Sequence, residues 1–314
     1  MTLDQASPRP SDDATTEAPS GRGDGPRTLA LIEALCRELE ANRVRYCHWK
    51  SNEGLDRSAS GENDLDLLVA RADARAFEEI LRRLGFRDAQ PPRRKQLPGV
   101  YHSYALDHAS GRMVHIHAHN HLIVGDDMTK NYRLPIEGPY VASAAIQEPY
   151  PFRVPSPEFE LGVFLIRMVL KHSSWDGIVS FQGSLSASER RELADLRGRV
   201  DVEDVWTLMD RHLPNVSRAV WQRCLRAVEP GASTTFKIST ARRLQRELAT
   251  NARRTQAIDT TLKMTRRATT VLRRKVLRRG PDRTRLTAGG ALIAIVGGDG
   301  AGKSTAVEDL TRWL

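Results

Sequence analysis

Two groups of residues in this chain have types and spacings suited to chemistry on phosphates. Near the C-terminus, Ile293-Ala294-Ile295-Val296 runs into Gly297-Gly298-Asp299-Gly300-Ala301-Gly302-Lys303-Ser304-Thr305, a G-x-x-x-x-G-K-S pattern from Gly297 to Ser304. A strand that ends in glycines lets the backbone curl until successive N–H groups face phosphate oxygens, and Gly297, Gly298, Gly300 and Gly302 keep side chains out of the way. A helix starting near Lys303 adds its positive end. Lys303 then reaches the β- and γ-phosphates of ATP, Ser304 ligates Mg2+, and Thr305 follows on the same turn. The plainer reading is a glycine-rich turn before a helix.

The second group lies nearer the N-terminus, where Trp49-Lys50-Ser51 is followed by Asp64-Leu65-Asp66-Leu67. Asp-x-Asp on a strand puts both carboxylates on one face, because side chains alternate with period two. Two such acids repel unless a cation lies between them, which predicts Mg2+ or Mn2+ holding a nucleoside triphosphate; the alternative is a pair of surface acids at a strand start. Leu65, Leu67 and Leu68 would pin the strand in a core. Further on, His115, His117, His119 and His121 recur at period two, with Ile116 on the opposite face. They read as a separate metal cluster, as partners of the Asp pair, or as polar histidines on a strand face bordering solvent.

The elements that must position these groups are legible in outline. Residues 1–27 are rich in Pro, Ser, Thr, Asp and Gly and predict a disordered tail. Leu29, Ile32, Leu35, Cys36 and Leu39 predict a helix, Val44 to Trp49 and Asp64 to Val69 two strands, and Phe77, Ile80, Leu81 and Leu84 a helix closed by Gly85. Val100 to Leu106 and Arg112 to Ala118 read as strands joined by a turn at 108–111. We assign 28–150 to this unit, whose regular part ends near residue 125. Residues 151–230 form a helical subdomain, with an apolar helix from Glu158 to Lys171 and others near 187–197, 202–212 and 215–227. Between Lys237 and Arg285 sixteen Lys and Arg face only Glu247, Asp259 and Asp282. That segment, 231–286, predicts a long basic helix, broken at Gly280-Pro281, acting as a solvated linker. Nucleic-acid binding is disfavoured because no aromatic residues interleave, and a membrane-surface role because the apolar face is thin. Residues 287–314 open a further domain.

The 314 residues suffice for two domains and a tail, and the net charge of +9 is concentrated in the linker. Cys36, Cys47 and Cys224 are far apart with no C-x-x-C spacing, which argues for a reducing cytoplasm and against a disulfide framework or a zinc site. No apolar run reaches the roughly 20 residues of a membrane span, and the N-terminus has no signal-peptide core.

The loop G-x-D-G-A-G-K-S-T resembles that of thymidylate kinase and its nucleoside-monophosphate kinase relatives, over about residues 290–314. The resemblance implies a parallel-sheet kinase fold, with Asp299 contacting the acceptor sugar. It finds no counterpart for the family's acceptor-base pocket, lid arginines or second magnesium-binding acid, so this end by itself is not expected to turn over. Residues 28–125 resemble the minimal nucleotidyltransferases. That resemblance implies that Ser51 contacts phosphate and that Asp64 and Asp66 bind metal. Lys50 stands in place of the usual glycine, and His117 where a third carboxylate is expected. Together, CHWKSN, GENDLDLLV and the C-terminal loop look like bacterial fusions of the two families, often found among surface-polysaccharide genes. The fold expected is a multidomain α/β and α+β chain: a nucleotidyltransferase-like mixed sheet, a helical subdomain, a basic helix and the first strand-loop-helix of a kinase fold. The activity implied is ATP-dependent phosphoryl transfer to a nucleoside monophosphate or sugar-related acceptor, with Asp64, Asp66 and Lys303 as catalytic residues. The alternative is a truncated or non-catalytic nucleotide-binding scaffold. The oligomeric state is not legible.

Overall fold

The computed structural model describes residues 28–126, 128–173, 184–272, 284–289 and 301–313. Helix α1 (Ala30–Ala41) buries Ile32, Leu35, Cys36 and Leu39, the helical spacing read from the sequence. The chain enters strand β1 (Tyr46–His48), short helix α2 (Leu55–Ala59) and strand β2 (Leu65–Val69). Helix α3 (Ala74–Arg83) turns Phe77, Ile80 and Leu81 inward and is closed by Gly85, whose φ of 83° is the left-handed cap a glycine takes without strain. Strands β3 (Arg87–Gln90), β4 (Val100–Asp107) and β5 (Arg112–His119) complete the unit.

These strands lie in the order β1-β2-β5-β4-β3, with β2 and β5 parallel and the other pairs antiparallel. Period-two alternation divides the residues between two faces. Leu65, Leu67, Val69, Val114, Ile116 and Ala118 face α1 and α3 in one core. Asp66, His115 and His117 alternate with them and belong to the other face. Buried Asp107 ties the end of β4 to α1, accepting from the Leu31 N–H (2.9 Å) and from the Ser110 N–H and hydroxyl (2.9 and 2.5 Å).

Beyond β5 come a hairpin of β6 (Leu122–Val124) and β7 (Tyr132–Leu134), helix α4 (Glu137–Ala142), and a small pair, β8 (Ala145–Ile146) with β9 (Arg153–Val154). Helix α5 (Pro157–His172) begins on a proline, which costs nothing at a first turn, and is buried on nearly every side. Around it lie α6 (Ala187–Arg199), started by a reciprocal Ser186–Glu189 cap, α7 (Val202–His212), capped by Asp201, α8 (Arg218–Val228) and α9 (Thr234–Glu247). Trp206 and Trp221 stack in their midst, 5.9 Å between ring centroids. Cys47, Trp49 and Leu68 of the sheet unit share this core with Phe164 and Trp206. The helical layer therefore closes over part of the sheet face that carries Asp66.

The basic segment does not form one long helix. It makes α9 and α10 (Gln256–Val271), separated by a 3-10 turn at Ala249–Asn251. Tertiary hydrogen bonds break the helix: Asn215 donates to the Glu247 carbonyl (2.8 Å), the Arg253 N–H donates to the Asn131 carbonyl (2.8 Å), and the Asn131 side chain pairs with both the N–H and the carbonyl of Arg254. Some of its charge is paired as well, Arg267 with Asp126 at 3.2 Å and Lys263 with Asp259 at 3.1 Å. The predicted break at Gly280-Pro281 lies outside the described residues. Beyond it, β10 (Arg285–Leu286) adds to the sheet edge against β3. The last helix, α11 (Lys303–Trp313), has no buried residue. Among the described residues no helix is long and apolar enough to cross a membrane.

Candidate functional site

The chain leaves β1 still laddered to β2, the Trp49 N–H donating to the Asp66 carbonyl at 3.0 Å, while the Tyr140 hydroxyl holds the Trp49 carbonyl at 2.9 Å. It then bends sharply, because Ser51 adopts φ 58°, ψ 40°. A left-handed serine costs on the order of 1 kcal/mol and persists only where its surroundings impose it. Those surroundings come from the helical layer. The Ser51 N–H donates to Glu192 Oε1 (3.1 Å) on α6, and the Asn52 amide donates to Glu160 Oε1 (2.8 Å) on α5. Asn52 Oδ1 in turn meets His48 Nδ1 at 2.6 Å. The bend presents Lys50 toward β2.

On the sheet face, register decides what meets what. Asp66 lies beside His117, and His117 beside His102 on β4. Asp66 Oδ1 accepts from His117 Nδ1 (2.9 Å) and from the Lys50 ammonium (2.8 Å). Asp64 Oδ1 pairs with His115 Nδ1 at 2.7 Å, and His102 Nδ1 meets His115 Nε2 at 3.1 Å. The rings form a continuous stack: Tyr104 on His115 at 4.2 Å, His102 on His117 at 4.5 Å, and His117 against His119 at 4.3 Å. His119 is fully buried, edge-on to Trp49 at 5.0 Å, and neither of its ring nitrogens has a hydrogen-bond partner. His121 falls just beyond β5, at the Gly99 turn. The two acids, Lys50 and Ser51 open with His48, Ser58, Glu62 and Asn63 onto a cleft of about 280 Å3.

Charge in this cleft is strongly organised. Burial opposes ionisation of Asp66, but the Lys50 ammonium and the His117 hydrogen bond outweigh it and hold the carboxyl far below the usual carboxylate range. Asp64 is likewise lowered, chiefly by its hydrogen bond to His115. Desolvation dominates the other way for the imidazoles: it lowers His117 despite Asp66, brings His102 down to about 4, and drives His119 well below the ordinary histidine value. Both acids are therefore anionic at neutral pH and these three rings neutral. Since an ionised carboxylate only accepts, the His117 proton lies on Nδ1 and its Nε2 keeps a lone pair.

Asp64, Asp66, Lys50, Ser51 and His117 are thus brought to one place. The acids share a face, each engaged by its own imidazole. The resemblance implies magnesium between them, and the donor set here does not fit it. Magnesium wants an octahedron of oxygens, whereas the groups bonded to Asp66 are an ammonium and an imidazole. Among the described residues, the group of His, Cys, Asp and Glu close enough to share an ion is Asp66, His117 and His119, without Asp64. At the other end, Gly297, Asp299 and Gly300 lie outside the described residues. Gly302 has φ 73°, Lys303 is the first residue of α11, and Ser304 and Thr305 are exposed on its first turn.

Sequence reasoning missed Glu160, Glu192 and Asn52, which hold the Lys50–Ser51 bend. It also missed His102 and Tyr104, which extend the ring stack. The last two carried a signal, the alternation His102-Ser103-Tyr104 on a strand already predicted. The glutamates carried none, because their partners lie more than one hundred residues away in sequence. No protein-family model, no curated protein and no solved structure matches this chain.

Proposed function

We propose that this chain is a nucleotide-binding protein of the phosphotransferase type with two polyphosphate sites. The carrying observation is the convergence of Lys50, Ser51, Asp64 and Asp66 on one cleft. An ammonium has three donors, so Lys50 can keep Asp66 and still receive a phosphate oxygen of a nucleoside triphosphate. Asp64 and Asp66 orient the basic groups around it. At the C-terminal end, the segment from Gly297 to Thr305 binds ATP, with Lys303 and Ser304 at the start of α11 serving phosphate and Mg2+. Its acceptor is a nucleoside monophosphate or a sugar-related compound, and its setting is a reducing cytoplasm.

The test is a titration of the full chain with a fluorescent ATP analogue. Two sites are expected. Lys50→Ala weakens one by at least about tenfold, the loss of one charge-assisted hydrogen bond; Lys303→Ala removes the other, and the double variant retains only the weakened front site. A Lys50→Ala chain with unchanged stoichiometry and affinity would sink the front site.

Two observations favour a second reading, in which the front cleft binds nucleotide without turnover. The Ser51 N–H, which should meet phosphate, already serves Glu192, and His117 stands where a third acid would be the base. Saturable binding with no release of pyrophosphate over a range of acceptors would select that reading.

A further inference from the structure

At Asp66, which lines the cleft, three donors have more lone pairs than partners. One oxygen of Asp66 and one nitrogen each of His117 and His119 lie within 4.8 Å of one another. His119 is fully buried with both ring nitrogens unpaired, an arrangement that costs desolvation without return. His117 Nδ1 lies 2.9 Å from Asp66 Oδ1, near the separation of two ligands on one small ion, so the ion takes the place of the proton these two atoms share. Two imidazoles and one carboxylate, the last lining the cleft, are the ligand set of borderline divalent metals and a poor one for magnesium or calcium.

We infer that Asp66, His117 and His119 bind one divalent transition-metal ion of the zinc and iron(II) class. Ligands at roughly 2.0–2.2 Å from such an ion lie about 3.3 Å apart, so closure asks for side-chain shifts of about an ångström. His117 and Asp66 border the cleft with side-chain exposures of 17% and 15%, which leaves room for such shifts. The Lys50 ammonium, 2.8 Å from Asp66, is the cation this carboxylate now serves, and the ion competes with it. The inference deepens the front site proposed above and shares Asp66 with it, but its experiment needs no nucleotide, so the two fail separately.

The experiment is a competition titration of Zn2+ against a chromophoric chelator, on the untagged full chain after treatment with EDTA, with Co2+ as spectroscopic probe. One ion per chain is expected, not displaced by millimolar Mg2+. His119→Phe keeps the ring against Trp49 and removes the nitrogens; it and His117→Ala should each weaken Zn2+ by more than about 100-fold, beyond the effect of losing an outer partner. Both should also abolish the visible Co2+ bands. Lys50→Met should tighten Zn2+ about tenfold by freeing Asp66, while it weakens nucleotide. Absence of saturable Zn2+ binding overturns the inference, as does affinity unchanged in His117→Ala or reduced in Lys50→Met. If His119→Phe does not fold by circular dichroism, the other two variants decide.

Discussion

Glu160 supports the bend that carries Lys50 and Ser51, and it should make the fold pH-sensitive. Its carboxyl is buried on α5, with Oε1 accepting from Asn52 and Oε2 without a partner. Desolvation raises it to about 8 from the usual 4.5, nearby Glu192 adds to the effect, and Arg199, Asn52 and Arg167 only partly oppose it. Glu160 is therefore protonated in the native protein at neutral pH and ionised in the unfolded chain. Between pH 4.5 and 8 the folded state holds the extra proton, so stability is greatest below 4.5 and declines as pH rises through 8. Each pH unit in that window is worth about 1.4 kcal/mol, so roughly 3–4 kcal/mol should be lost from pH 5 to pH 8. Glu160→Gln cannot ionise, and its amide oxygen can still accept from Asn52. Its orphaned Nε2 adds a cost that does not vary with pH. Urea unfolding of both proteins at pH 5, 6, 7 and 8 separates the two effects: the wild-type stability should fall relative to the variant by roughly 3–4 kcal/mol across the range. Parallel profiles would refute the idea that Glu160 is held protonated.

Three more perturbations follow from local geometry. Ser51→Gly removes a left-handed side-chain penalty while keeping the N–H that serves Glu192, and should raise the urea midpoint by the equivalent of about 1 kcal/mol. Gly162→Ala would place a Cβ 2.7 Å from Met209 Sδ at the α5–α7 crossing, so despite the better helix former it should destabilise by about 1–2 kcal/mol in thermal melts. Asp107→Ala leaves the Leu31 and Ser110 N–H groups without their acceptor, and should cost about 2 kcal/mol in chemical unfolding and speed amide exchange at the start of α1.

The amino-acid sequence alone determined the parts whose physics is local. Period-two spacing placed Asp64 with Asp66, and His115 with His117, on single faces of strands. Helical spacing marked α1, α3 and α5, and Gly85 marked the end of α3. Short strands such as β6 to β9, with two or three residues each, are too brief for any period to show. Likewise the basic segment reads as one helix until Asn215 and Asn131, far off in the chain, claim its backbone groups. Tertiary structure alone decided the cleft. Register between β2 and β5 set Asp66 against His117, which no spacing within either strand specifies. Trp49 covered His119 and stripped its nitrogens of water. Glu160 and Glu192 were delivered to the Ser51 bend by helices more than one hundred residues downstream. Such contacts depend on which surfaces the chain buries together, and burial is a property of the whole packed molecule, not of any stretch of it.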